Sequence, residues 1–163
     1  MKIGIYYASK TGTTRRCAME LQRLLQDRHE VTLVELGRET ADVRTFDLAV
    51  IGSNVRIGHI AKPARAFLKA QEAALLERKT AFFLCMGAPE QAEQTFALDF
   101  PEALLKHALC RDCFGGEMEV AAQKGFFDRL IIKSIVQKPG FQPPRILDDR
   151  IRAFAERLGT GTK

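Results

Sequence analysis

The chain has 163 residues, 46% of them apolar and 28% charged, which excludes a disordered chain and suits one domain with a full core. No apolar run approaches the ~18 residues of a spanning helix, and the start lacks a signal-peptide pattern, so a cytoplasmic protein is expected. The net charge of +5 is unevenly spread: residues 1–120 hold 16 basic against 16 acidic side chains, residues 121–163 hold 9 against 4. A basic tail attracts an anionic ligand, a nucleic acid or an acidic membrane face, or serves only solubility.

In chain order, Lys2–Ala8 reads as a buried strand, followed by a helix from about Gly12 to Arg28 with Met19, Leu21, Leu24 and Leu25 as its apolar stripe. His29–Leu36 alternates as a half-covered outer strand does, and Asp47–Gly52 is a short apolar run of the kind found in a central parallel strand. Pro63 suits a first helical turn, and strong helix formers follow it. Thr80–Met86 is another buried strand, and residues 90–109 are helical with a kink or restart at Pro101. A weaker strand is expected over 112–120, around Gly115 and Gly116, and an amphipathic helix over Ile146–Leu158. Strands alternating with helices predict a doubly wound parallel sheet of five strands with helices on both faces. The expected organisation is a single domain over 1–158 with an insertion at about 121–144, and a frayed tail at 159–163.

Such a sheet binds ligands at the carboxyl ends of its strands. There the first strand runs into ASKTGTT, residues 8 to 14, with four hydroxyls and a glycine. The stretch Gly4 to Thr11 nearly spells a P-loop, but Ser9 replaces the second glycine and Gly4 lies inside the strand. The dinucleotide fingerprint GxGxxG is missing. What remains is a set of hydroxyl and backbone N–H donors at a helix start, which suits a phosphate; a plain N-cap by Ser9 or Thr11 would need only one hydroxyl.

The stretch SKTGTT resembles the flavodoxin loop [ST]-x-T-G-x-T, which wraps the phosphate of FMN. The resemblance implies a flavodoxin-like strand order 2-1-3-4-5 and FMN as cofactor. It assigns hydroxyls from Ser9, Thr11 and Thr14, backbone N–H groups from Lys10, Thr11, Gly12, Thr13 and Thr14, and close backbone approach at Gly12. The loop IGSNVRIGHIAKP, residues 51 to 63, is similar to a stretch of the menaquinone-dependent protoporphyrinogen dehydrogenase branch, through Gly52, Val55, Arg56, Gly58 and His59. FGGEMEV (114–120) and GFFDRLIIKSIV (125–136) resemble further segments of that branch. By this resemblance Ser53, Asn54, Val55, Arg56, Ile57 and Gly58 face the flavin ring, and Met86, Gly87 and Ala88 pack on its edge. Ile57 stands where that branch carries an aromatic residue, and the chain has no Trp.

Arg56 could stabilise an anionic reduced flavin or pair with a substrate carboxylate, and otherwise is a surface residue packing its stem. His59 could move a proton near neutral pH. No other catalytic residue is identified. Cys110 and Cys113 form a CxxC without the partners of a metal site; coincidental thiols at a helix–strand junction are favoured over a redox pair, and no metal is expected. The apolar and basic segment 125–138 suits either packing on the domain or a peripheral contact with the inner face of a membrane. The basic balance points to an anionic substrate or a quinone acceptor, and no nucleic acid is expected. The leading expectation is an FMN-dependent oxidoreductase taking hydride equivalents from a protoporphyrinogen-like substrate to a quinone. The alternative is a one-electron carrier that docks on a redox partner.

Overall fold

The computed structural model describes residues 1–117 and 144–160. Its elements are β1 (Lys2–Ala8), α1 (Thr13–Leu25), β2 (Glu30–Glu35), β3 (Leu48–Arg56), β4 (His59–Ile60), α2 (Lys62–Leu76), β5 (Lys79–Cys85), α3 (Ala92–Asp99), α4 (Glu102–His107), β6 (Cys110–Cys113) and α5 (Asp148–Thr160). The parallel strands lie in the order β2-β1-β3-β5-β6, and β4 pairs antiparallel with the end of β3. Counted without the two-residue β4, this is the expected order 2-1-3-4-5.

The central strands are buried on both faces, which is why they read as continuous apolar runs. Ile3, Ile5 and Tyr7 of β1 face one core, with Cys17, Ala18, Leu21 and Leu25 of α1 and Phe154 and Leu158 of α5. Tyr6 and Ala8 face the other core, with Ala64 and Leu68 of α2, Phe96 of α3 and Leu104 of α4. The sheet thus separates two apolar layers. Gly52 on β3 is required by close packing: a Cβ there would lie 2.0 Å from the Phe83 ring. Phe83 in turn stacks on Phe114, with ring centroids 4.7 Å apart.

Several local expectations change. Met19 is half exposed, because the buried stripe of α1 runs through Thr14, Cys17, Ala18, Leu21 and Leu25 instead. Strand β3 continues past Gly52 to Arg56 and turns back through β4, so the supposed loop is a hairpin. The last strand is Cys110–Cys113 rather than 112–120, so CxxC is the strand itself and not a junction before one. Gly115 makes only an isolated bridge to Ile146. Pro101 does separate two helices, α3 and α4, and α5 extends two residues past Leu158. The expected insertion at 121–144, its segment 125–138 and the tail from 161 lie outside the described residues, apart from Pro144. Among the described residues no helix is long and apolar enough to cross a membrane.

Candidate functional site

Strands β1 and β3 are neighbours, yet the chain leaves β1 for α1 on one face and β3 for α2 on the other. That divergence opens a crevice beyond their carboxyl ends. Residues 9–12 form one side of it. Gly12 is the N-cap of α1 with φ +96°, a conformation that L side chains rarely adopt. Ser9 Oγ accepts from Gly12 N at 3.1 Å and from Arg15 N at 3.4 Å. The N-cap residue, Gly12, offers no side chain to cap α1, so Ser9 reaches in from outside the helix, and the first turn holds no acid but does hold Arg15 and Arg16. Arg16 pairs with Glu117. A helix start with a glycine N-cap, no first-turn acid and arginines in its first turn is poorly matched to its own dipole and well matched to an anion.

Thr14 is fully buried, and its Oγ1 has no hydrogen-bond partner among the described residues. It lies beside the thiol of Cys85, whose pKa is pushed up by its hydrogen bond with Cys17 and by burial. Thr13 is also buried.

The β3–β4 hairpin forms the second side. Val55 pairs with Ile60 and Arg56 with His59, leaving Ile57 and Gly58 as the two-residue turn with φ of 51° and 75°. Positive φ at both positions is the pattern of a type I′ turn, which favours Asn-Gly; a β-branched residue there is strained. Ile57 is nonetheless placed at the tip and is 78% exposed. The hydroxyl of Ser53 is used inside the hairpin, donating to Asn54 O and accepting from Ala61 N, and its backbone lies in register with Ala8 and Leu84 of the flanking strands. Asn54 is half-buried, and its Oδ1 is buried without a partner. Asp99, at the end of α3, holds the return strand: Oδ2 accepts from Ile60 N at 2.7 Å, and Oδ1 lies 3.0 Å from His59 Nδ1.

Residues 86–88 form the third segment. Met86 is buried in the core, so its side chain does not line an open crevice, whereas Gly87 is exposed and Ala88 is half-buried. Met86 N donates to Gly115 O at 2.8 Å, so the 115–116 segment runs alongside. Tyr6 and Tyr7 are buried within β1, and Tyr6 stacks on Phe67.

A cleft of about 390 Å³ joins the first two sides. It is lined by Ser9, Lys10, Asn54, Arg56, His59 and, from the start of α2, Lys62 and Arg65, and no carboxylate lines it among the described residues. Burial and the nearby charge of Arg56 lower the Lys10 pKa.

The cysteines separate from this site. Cys110 belongs to the core shared with α1 and α5, and Cys113 to the opposite core, so their side chains lie on opposite faces of the sheet. Their odd spacing of three positions along the strand produces that result, and a disulfide between the two is excluded. Among the described residues no group of three or more His, Cys, Asp or Glu side chains could hold a metal ion.

The structure brings Ser9, Lys10, Asn54, Arg56, Ile57 and His59 to one cleft, with Thr11–Thr14 leading from it into α1 and Gly87 and Ala88 at the end of the next strand. Sequence reasoning missed Asp99, which lies 40 residues from His59 and whose only visible signal is an acid at a helix end ahead of Pro101.

A family model described as a flavodoxin domain matches residues 4–142. No curated protein matches the chain. Among solved structures, a short-chain flavodoxin associated with a PDU bacterial microcompartment is 13% identical and superposes with a TM-score of 0.62, covering 100% of this chain and 99% of that one. Flavodoxin 1 from Bacillus cereus is 11% identical with a TM-score of 0.56, covering all of both chains. A flavoprotein from Lactobacillus acidophilus, solved in complex with FMN, is 18% identical with a TM-score of 0.54 over 69% of this chain and 92% of that one. At these identities the structural likeness concerns the fold.

Proposed function

The chain belongs to the flavodoxin domain family, and we propose that it is an FMN-dependent flavoprotein that moves reducing equivalents from a reduced organic donor to a quinone. One observation carries the FMN reading: α1 starts at the end of β1 with a glycine N-cap and no first-turn acid, and the Ser9 and Thr14 hydroxyls stand beside it. The residues present fit the group. The N–H groups of residues 10–14 and the Ser9, Thr11 and Thr14 hydroxyls would hold the phosphate, with Lys10 adding charge. Asn54–Gly58 and the backbone of Gly87–Ala88 would hold the ring, with Ile57 supplying apolar cover in place of an aromatic side chain. When bound, the flavin supplies the redox chemistry, accepting and returning electrons singly or in pairs. The protein contributes grip, orientation and access.

A protoporphyrinogen-like donor rests on the resemblance of residues 52–59 and 114–136 to that dehydrogenase branch. A one-electron carrier is the second reading, and the fold serves it equally well.

The test is the visible spectrum of the purified protein, with the released chromophore identified by mass, followed by a reductive titration. A yellow protein that yields FMN and reduces in one spectral step supports pairwise transfer. Two resolved steps favour the one-electron carrier. A colourless protein that refuses added FMN overturns the flavin reading.

A further inference from the structure

We propose that Asp99 positions His59 to deliver a proton to the electron acceptor, making a carboxylate–imidazole pair the proton-handling part of this site. The proposal rests on the flavin reading above and adds to it a role for residues outside the phosphate loop.

The geometry is specific. Asp99 is buried, its side chain only 5% exposed, and both of its oxygens are used on the hairpin. Oδ2 is committed to Ile60 N–H, which fixes the plane of the carboxylate and aims Oδ1 at His59 Nδ1. A carboxylate accepts and does not donate, so the proton of a neutral His59 is kept on Nδ1. Nε2 is left as the nitrogen that gains and loses a proton. The ring itself is half exposed and lines the cleft shared with Ser9 of the phosphate loop and Asn54 of the hairpin. A tie serving only to anchor the hairpin would need just the Ile60 N–H bond. The second oxygen on an imidazole at the cleft wall adds control of tautomer and orientation.

The step balances as follows. A quinone-type acceptor becomes a hydroquinone by gaining two electrons and two protons, as one hydride and one proton. The hydride comes from reduced flavin, and the proton leaves Nε2 of the cationic imidazole, breaking N–H as the acceptor O–H forms. His59 then regains a proton from water. Ferricyanide takes one electron at a time and no proton, so its reduction bypasses His59.

The experiment compares wild type with His59→Gln and Asp99→Asn, each loaded with FMN, photoreduced, and mixed with menadione or ferricyanide in a stopped-flow instrument. The expected result is a menadione-to-ferricyanide rate ratio lowered about 100-fold by His59→Gln and about tenfold by Asp99→Asn. General damage to the fold would slow both acceptors and leave the ratio unchanged. Asp99→Asn keeps an oxygen for the Ile60 N–H but turns an NH₂ towards Nδ1. In the flavin-free protein, ring ¹⁵N spectra of neutral His59 should therefore show the Nδ1–H tautomer in wild type and the Nε2–H tautomer in Asp99→Asn. An unchanged rate ratio in His59→Gln refutes proton delivery by His59. An unchanged tautomer in Asp99→Asn refutes positioning by Asp99. A protein that takes up no FMN overturns the flavin reading and this one with it, whereas FMN uptake with an unchanged ratio overturns this one alone.

Discussion

Thr14→Val separates a hydroxyl waiting for a ligand from one that serves the core. The substitution keeps the branched shape and removes only Oγ1, which is buried beside the Cys85 thiol and has no hydrogen-bond partner of ordinary geometry among the described residues. An unsatisfied buried hydroxyl costs about 1–3 kcal/mol, so the ligand-free variant should be more stable than wild type by a similar amount. For a chain of this length that corresponds to a melting temperature higher by about 2–4 °C per kcal/mol. FMN binding should move the opposite way. A hydrogen bond to a charged phosphate contributes about 1.5–3 kcal/mol, so its loss weakens affinity by about 10- to 150-fold. Calorimetric melting of the apoprotein and titration of FMN fluorescence quenching read the two effects separately. A variant that is less stable without ligand and binds FMN normally would refute the reasoning, showing that the hydroxyl is satisfied by the neighbouring Cys85 thiol.

Gly52→Ala forces a methyl group to within 2.0 Å of the stacked Phe83 ring and should cost about 1–3 kcal/mol, read as a lower urea midpoint with an unchanged slope. Ile57→Asn relieves the positive φ of the hairpin tip and should stabilise the apoprotein by about 1 kcal/mol. The same change removes apolar cover and should weaken FMN binding about 5- to 30-fold by fluorescence titration. Alkaline pH gives a further test. Burial pushes the Cys110 thiol up to about 11 from its ordinary value near 9, so the unfolded chain loses this proton first. Stability is then fully present below pH 9 and falls as the pH rises to 11, and Cys110→Ala should flatten that part of the melting curve. Tyr6, pushed up to about 12 by burial and then by the charge of Asp42, extends the loss from pH 10 to 12, and Tyr6→Phe should remove that portion.

The strands that were legible in the sequence are those with both faces covered. Lys2–Ala8, Leu48–Ile51 and Lys79–Cys85 are buried almost throughout, and such burial writes itself as an uninterrupted apolar run. Strand β6 escapes that rule, because Arg111 and Asp112 interrupt its two buried cysteines and spend their charges on Glu93 and Arg150. The hairpin was hidden for a different reason. Its turn uses Ile57 where turn chemistry calls for Asn or Gly, so the pattern that announces two-residue hairpins is absent. The cleft residues Ser9 and Lys10 could be read because hydroxyl density at a strand end is a local signal. The Asp99–His59 link could not, since a contact across 40 residues leaves no mark on either neighbourhood.

The sheet also sorts the four buried thiols unequally: Cys17, Cys85 and Cys110 lie in the layer with α1 and α5, and Cys113 lies alone in the other. The protein therefore carries its own set of footprinting probes, already divided by layer. Pulsed alkylation under mild denaturant, resolved peptide by peptide, reports how often each layer opens to solvent. If the two layers part from the sheet together, all four sites react at one rate; if α1 and α5 detach first, Cys113 stays silent while its three counterparts are marked.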